Sequence, residues 1–258
     1  MKNLFDKMAR GSFFALLLRI TVIAAGLGTT VLLSRGLGPE KYGVYALAMS
    51  VFMISSKVSL LGMNNGLLRF FPLYVGQAER LSGLIVSSFA VVLGVSIVIM
   101  GFHLIMADIY SAAVFNIAEF GFVMRNFALL IPFMGAVQLV SFVCQADKDV
   151  LLYLKISQLY QKVFLLFIVS LIFFYDFNLD IAVFSFFLSV LMVFVIASYV
   201  FWKKIWPLIN INEAVYNFKE LMNFSAPSFL IGFSFIVLME TDRIMVGIFM
   251  DRSEERRV

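Results

Sequence analysis

The sequence predicts an all-α, polytopic membrane helix bundle with about seven transmembrane helices. Hydrophobic residues make up 62% of the 258 residues and charged residues only 14%, whereas a soluble domain has about 45–50% and about 25%. The mean hydropathy of +0.98 agrees with this composition. Apolar runs of about 20 residues, long enough to cross about 30 Å of hydrocarbon, recur along the chain. Polar segments separate them.

Seven spans are predicted from these runs. The connections at residues 69–81 and 107–124 are predicted as polar loops, residues 147–162 as an amphipathic connection, and residues 209–222 as a surface helix. Pro132 lies inside the fourth run, where neighbouring helices can accommodate the bend that it causes. The runs cover residues 12–33, 42–62, 84–106, 127–146, 159–175, 181–202 and 224–250.

The distribution of basic residues predicts the orientation, because loops rich in Lys and Arg stay in the cytoplasm. With the amino terminus in the cytoplasm, eleven basic residues fall on that side and three on the other. The tail at residues 251–258 would then lie outside, although it carries three arginines. The outer residues are Arg35, Lys41 and Arg125, and the inner ones are Lys2, Lys7, Arg10, Arg69, Arg80, Lys148, Lys155, Lys162, Lys203, Lys204 and Lys219.

The sequence contains no recognisable catalytic or metal-binding motif. There is no Gly-rich phosphate loop before a helix and no zinc-type spacing, because Cys144 and His103 are the single cysteine and histidine. No Ser or Cys nucleophile has a suitable base near it in the sequence. We therefore expect no enzyme, no metal and no cofactor, and we expect His103 to be a packed or interfacial side chain rather than a proton carrier. The net charge of +4 fits basic cytoplasmic loops rather than a nucleic-acid partner.

Charged residues inside the predicted spans are the strongest functional signal. Each costs a few kcal/mol at membrane depth, so such residues usually face a bundle interior or a watery cavity. Arg19 lies about a third of the way along the first span, far from either interface. For Lys57, near the inner end of the second span, a cavity position and snorkelling to the interface are both open. Glu240, Asp242 and Arg243 lie in the seventh span, where Glu240 and Arg243 could neutralise each other.

Residues 32–46 form a charged corner, rich in Gly and Pro, between the first two spans. Gly36 and Gly38 supply backbone conformations that end a helix, and Pro39 followed by Glu40 suits the first turn of the next one. The sequence therefore predicts a helical hairpin at this corner.

Two segments carry a resemblance to a known family. One is Ser34-Arg35-Gly36-Leu37-Gly38-Pro39-Glu40 with Tyr42-Gly43, and the other is Gly62-x-x-x-Gly66-Leu67-Leu68-Arg69. They resemble the first two helices of the polysaccharide transporters, the oligosaccharide (O-antigen-type) flippases of the multidrug/oligosaccharidyl-lipid/polysaccharide superfamily. From the residues alone, the glycines four apart in the second segment favour close helix packing.

The resemblance extends over essentially the whole chain but only over the amino-terminal half of the family architecture. It implies a six-helix lobe at residues 1–208, a surface helix and the first helix of a second lobe at 209–250, and a charged tail at 251–258. It implies a flippase of the cytoplasmic membrane that moves lipid-linked oligosaccharide by alternating access, for surface polysaccharide biosynthesis. The implied partners are a polyprenyl-pyrophosphate oligosaccharide, the lipid bilayer and other membrane proteins of polysaccharide assembly.

The resemblance also implies a role for the intramembrane charges. A cationic lining suits a pyrophosphate because Arg and Lys supply charge-assisted hydrogen bonds. We expect Arg19 and Lys57 to line the cavity, with Arg69 near the inner mouth and Arg35 near the outer mouth. The three charges of the seventh span are expected either to couple transport to a proton or sodium ion or to pair with one another.

Two alternatives remain open. The chain could be a truncated, non-transporting fragment or a membrane scaffold, which the basic tail and the lack of further spans favour. It could also be a multidrug or cation antiporter of the same superfamily. That function would require acidic residues buried among the first helices, where Arg19 and Lys57 are the clear charges.

Overall fold

The computed structural model describes residues 2–173 and 177–254, and within these ranges it contains helices and no strand. The predicted all-α membrane bundle is therefore confirmed. The α-helices in these ranges are α1 (Lys2–Val58), α2 (Met63–Tyr74), α3 (Ala78–Ile109), α4 (Phe120–Ala146), α5 (Val150–Leu154), α6 (Tyr160–Ile172), α7 (Leu179–Val200) and α8 (Phe218–Glu254).

The helical stretches are long enough for a multi-pass membrane protein. Six stretches of the described chain are long and apolar enough to cross a membrane. The first, Phe13–Tyr74, has 62 residues; a straight helix of this length would measure about 93 Å, three times the thickness of the hydrocarbon. Helix α1 is broken at Gly38, giving limb 1 (residues 2–37) and limb 2 (residues 39–58). The two limbs and the five other stretches account for the seven predicted crossings.

The break at Gly38 is the predicted corner. Its φ of 73° and ψ of 170° lie in a backbone region that essentially only glycine adopts. Pro39 follows at once and begins limb 2, where its missing N–H leaves no helical hydrogen bond unmade. One residue therefore ends the first limb and allows the second to begin.

Contacts between loops define the two ends of the bundle. At the Gly38 end, a cavity of about 230 Å³ brings residues of limb 2 together with the loops before α4 and α7. At the Asp149 end, Lys204 forms ion pairs with Asp147 and Asp149 at 3.1 and 3.0 Å. The helices run alternately between these ends. The lining of the cavity is Lys41, Glu119, Phe122, Asn178, Leu179 and Asp180.

Helix α4 occupies the centre of the bundle. In the most apolar 18-residue segment of α4, 72% of the residues are buried. The corresponding share is 17% for the stretch that contains limb 1 and 11% for α8. The rings of Phe52, Phe127 and Phe186 join limb 2, α4 and α7, with centroids 5.0–5.7 Å apart. Limb 1 and α8 therefore lie at the margin and leave most of their apolar side chains uncovered.

Two predicted connections are mostly helical. The predicted loop at 107–124 is short, because α3 continues to Ile109, a π-helical turn covers Tyr110–Val114, and α4 begins at Phe120. The fifth crossing covers Val150–Ile172 rather than 159–175, because Asp149 caps it by accepting a hydrogen bond from the N–H of Leu152 at 3.1 Å. Residues 174–176, where the predicted fifth span ends, lie outside the described residues.

The predicted surface helix at 209–222 is wrong. Residues 206–217, which we call the strap, form two 3₁₀ turns joined by extended backbone, and α8 begins at Phe218. The N–H of Val215 donates to the carbonyl oxygen of Glu79 at 3.0 Å, and the N–H of Asn210 donates to Ser82 Oγ at 2.8 Å. Because these N–H groups are bonded to the start of α3, they are not available for the hydrogen bonds of a helix within residues 209–222.

The ion pairs of Lys204 predict a pH-dependent contribution to stability. Burial raises the pKa of the Asp149 carboxyl, but the hydrogen bond from Lys204 and that from Leu152 lower it, and the net pKa lies below its usual value. A carboxyl with a lowered folded-state pKa stabilises the protein above its unfolded pKa, and this contribution is lost as the pH falls through the folded pKa.

Lys204→Met is therefore expected to lower the free energy of unfolding at pH 7 by less than about 1 kcal/mol, since the pair is partly exposed. The difference from the unsubstituted protein should shrink as the pH falls below about 4. Thermal unfolding in detergent between these pH values measures it. Lys203→Met is the control, because the Lys203 ammonium lies over the Tyr199 ring instead. If the difference in the free energy of unfolding between Lys204→Met and the unsubstituted protein does not change with pH, the ion pairs of Lys204 do not make the pH-dependent contribution assigned to them.

Candidate functional site

Limb 1 carries Arg19 on a face that no other described helix covers. Its covered face repeats every four residues, and the exposed face between Phe13 and Val31 is mostly apolar. Arg19 is exposed on limb 1, six residues or about 9 Å along the helix from Phe13, where the apolar stretch begins. The structure thus places a cation within a membrane crossing and outside the packed core. The covered residues are Ala25, Thr29, Leu33 and Leu37.

Lys57 points into the bundle. Its Nζ donates a hydrogen bond to Gln138 Oε1 of α4 at 2.8 Å. Gln138 is buried and Lys57 is half-buried. Because the amide oxygen is neutral, it satisfies one donor of the ammonium without cancelling its charge.

Limb 2, α3 and α4 enclose a polar seam that sequence reasoning missed. Ser55 Oγ lies 2.6 Å from His103 Nε2, and both residues are buried. The hydroxyls of Ser56 and Ser96 are buried without a hydrogen-bond partner among the described residues. The sequence signal was the occurrence of polar residues three, four or seven apart inside apolar runs, as in Gln138/Ser141, Ser55/Ser59 and Ser96/His103. The seam consists of Ser55, Ser56, Ser59, Ser96, His103, Gln138 and Ser141.

Arg69 and Arg35 lie at opposite ends of the bundle. The Arg69 guanidinium lies 4.3 Å from the centroid of the Phe224 ring, so it connects α2 to α8 near the Asp149 end. Arg35 is exposed three residues before Gly38. The structure does not gather the four predicted cations into one pocket. None of Arg19, Arg35, Lys57 and Arg69 forms an ion pair with a carboxylate in the described part of the chain.

The predicted charges of the seventh span are only partly described. Glu240 is half-buried on α8, and the side chains of Asp242 and Arg243 lie outside the described residues. Elsewhere in the described ranges no Asp or Glu side chain is buried. No group of three His, Cys, Asp or Glu residues there is placed to hold a metal ion.

The glycines at the start of α2 bring α8 against the bundle, and the predicted close packing is confirmed. A Cβ atom on Gly62 would lie 2.2 Å from the carbonyl oxygen of Ser225. On Gly66 it would lie 2.6 Å from Ser225 Oγ and 2.7 Å from a methyl group of Leu221. Small residues thus let the first turns of α8 touch the helix end that carries the second sequence motif.

Comparison with known proteins gives one result for nearly the whole chain. A family model described as "Polysaccharide biosynthesis protein" matches residues 8–254. No curated protein and no solved structure matches the chain.

Proposed function

Because the chain belongs to the polysaccharide biosynthesis protein family, whose members are membrane transporters of the flippase type, we propose that it moves lipid-linked oligosaccharides across the cytoplasmic membrane. The cargo is a saccharide on a polyprenyl pyrophosphate, destined for surface polysaccharide. Transport occurs by alternating access, and no covalent bond is made or broken. The amino terminus and the Asp149 end face the cytoplasm, as the eleven-to-three distribution of basic residues favours.

The position of Arg19 is the observation that carries this proposal. A guanidinium inside a membrane helix costs up to about 2.5–3.5 kcal/mol on insertion scales, the value for the helix centre, and no described helix covers Arg19. A water-filled cavity along the exposed face of limb 1 removes most of that cost. The planar guanidinium can then bind a phosphate through two parallel hydrogen bonds.

Lys57 is the second proposed cation of the cavity. Its partner Gln138 is neutral, so a positive charge remains to attract the pyrophosphate. Arg69 at the Asp149 end and Arg35 at the Gly38 end mark the inner and outer mouths. For Glu240, Asp242 and Arg243 we retain the proposal that they couple transport to an ion or pair with one another.

The rival functions differ in what the helices carry. A multidrug or cation antiporter needs carboxylates inside the first helices, and in the described residues no Asp or Glu side chain is buried there. A scaffold needs no intramembrane cation. The cations of limbs 1 and 2 therefore favour an anionic cargo.

Leaflet exchange in liposomes tests the proposal. The full chain is reconstituted with a fluorescent polyprenyl-pyrophosphate saccharide, and an impermeant reductant bleaches the label in the outer leaflet. We expect complete bleaching at a rate well above that of protein-free liposomes, and slower exchange of the same saccharide on an uncharged polyprenol. Bleaching that stops at the outer leaflet, as in protein-free liposomes, would favour the scaffold instead.

A further inference from the structure

His103 is held inside the bundle by two hydroxyl groups. It is 6% exposed and lies within the membrane-crossing stretch Ala78–Val114. Its Nε2 is 2.6 Å from Ser55 Oγ of limb 2, and its Nδ1 is 3.3 Å from the hydroxyl of Tyr110. Both ring nitrogens therefore have a partner that can either donate or accept a hydrogen bond.

The surroundings of Ser55 fix the proton positions in the neutral ring. Ser55 Oγ also lies 2.8 Å from the carbonyl oxygen of Val51, which can only accept, so the serine hydroxyl donates to it. Ser55 Oγ then accepts a hydrogen bond from His103, which places the imidazole proton on Nε2. Nδ1 is left as the acceptor for the hydroxyl of Tyr110.

We propose that His103 is a proton-binding site and that Tyr110 delivers the proton. The Tyr110 hydroxyl gives its proton to Nδ1 while its oxygen takes one from a hydronium ion at the Gly38 end, which leaves a water molecule there. One proton is gained, the tyrosine remains neutral, and the ring becomes an imidazolium. Its two N–H groups then donate to Ser55 Oγ and to the Tyr110 oxygen, so no side chain has to move.

The local structure around Tyr110 supports this path. The π-helical turn Tyr110–Val114 begins at this residue, and such turns are frequent at functional sites. Tyr110 is half-buried and lies at the end of α3 near the Gly38 end. Its hydroxyl thus lies between the buried ring and the aqueous side.

The polar seam continues from His103 toward the Asp149 end. Ser96 lies two helical turns before His103 on α3, and its Oγ would be 2.9 Å from a Cβ atom on Gly135. Ser59 Oγ would be 3.7 Å from the same point. The buried hydroxyls of Ser56 and Ser96 have no protein partner in the described ranges, and water is the usual partner of such groups.

Few charged groups face His103. Limb 2 contributes Lys57, whose ammonium is directed to Gln138 of α4, and α3 contributes Tyr110. Asp108, five residues further along α3, is paired with Arg125 of α4 at the exposed Gly38 end. In the described part of the chain no carboxylate pairs with the ring, so no ion pair holds it in the charged form.

The single histidine of the chain allows a direct test. Protein labelled with ¹⁵N-histidine in lipid nanodiscs is followed by NMR from about pH 4 to about pH 8. We expect an Nε2-protonated neutral ring at high pH and an imidazolium at low pH. Tyr110→Phe removes the acceptor of the new N–H, which should lower the proton affinity about threefold to tenfold.

Tyr160→Phe is the matched control, because Tyr160 is also half-buried but stacks on Phe164 in α6. It should leave the titration unchanged. A ring that keeps one neutral form over the whole pH range would overturn the proposal. An equal titration in the protein with and without Tyr110→Phe would show that the Tyr110 hydroxyl makes no hydrogen bond to the protonated ring, and the delivery path requires that bond.

Coupling of this proton to transport rests on the proposed function. Leaflet exchange is compared at two pH values on the side of the Gly38 end, in the protein and in His103→Gln. We expect exchange to change with pH in the protein and not in the variant. Exchange that does not depend on pH in either the protein or His103→Gln would reject only the coupling of the proton to transport. No exchange in either rejects the transport function, while the NMR titration still decides on the proton site.

Discussion

Gly62→Ala should detach the first turns of α8 and lower the free energy of unfolding by more than about 3 kcal/mol. Two costs add at this position. Gly62 has a φ of +73°, and a left-handed backbone costs a residue with a Cβ atom about 1–2 kcal/mol. The added Cβ would also lie 2.2 Å from the carbonyl oxygen of Ser225 and 3.1 Å from the N–H nitrogen of Phe229. Both neighbours are backbone atoms, so a side-chain rotation cannot relieve the overlap.

Thermal unfolding in detergent, together with proteolysis of the strap, measures this effect. The strap should become cleavable in Gly62→Ala because α8 no longer holds its carboxyl end. Gly94→Ala in α3 is the control, since a Cβ atom there meets nothing within 4 Å and alanine is the better helix former by about 1 kcal/mol. If Gly62→Ala unfolds at the same temperature as the control, α8 does not pack against α2 as described.

Arg19→Gln should slow the exchange of the pyrophosphate-linked saccharide at least about tenfold. Loss of a hydrogen bond from a charged donor costs about 1.5–3 kcal/mol, and each 1.4 kcal/mol is a factor of about ten. Arg19→Lys should keep part of the rate, because the ammonium retains the charge but not the two-point geometry. Lys57→Met should slow exchange in the same direction, and it leaves Gln138 without its donor.

The readout is the bleaching rate in liposomes, with the thermal unfolding temperature measured in parallel. Removal of Arg19 should not destabilise the fold, since this side chain is exposed and no described partner depends on it. Lys219→Met is the control for charge, because Lys219 is an exposed cation in the first turn of α8. Unchanged exchange in Arg19→Gln would mean that the exposed face of limb 1 meets lipid rather than a cavity.

The parts of the fold that follow from local chemistry were predictable. Gly38 followed by Pro39 permits few backbone paths, so a corner could be placed within residues 32–46, and the structure puts the break at Gly38. The strap could not be predicted, because its backbone N–H groups donate hydrogen bonds to Ser82 and Glu79. These two residues precede the strap by more than 120 positions in the sequence. The start of the fifth crossing was hidden for a related reason. The amphipathic stretch that begins near the Asp149 cap was interpreted as a connection, although it continues helically into α6.

The candidate site was predictable only where it carries charge. Arg19 and Lys57 stand out because ionised groups are rare in apolar runs. The polar seam does not stand out, since a serine in a helix can satisfy its hydroxyl on the preceding turn, as Ser55 does with Val51. Only the three-dimensional structure shows that Ser55 of limb 2 also meets His103 of α3, 48 residues away.

The anchoring of α8 makes it a lever arm. Its first turns are fixed to Gly62 through Ser225 and Phe229, and the strap ties its start to α3. From Phe229 to the described end at Glu254 the helix continues for about 37 Å. A tilt of about 10° at the fixed contact would therefore carry the far end by about 6 Å, so a small change beside the two glycines becomes a large displacement at the Gly38 side of the membrane.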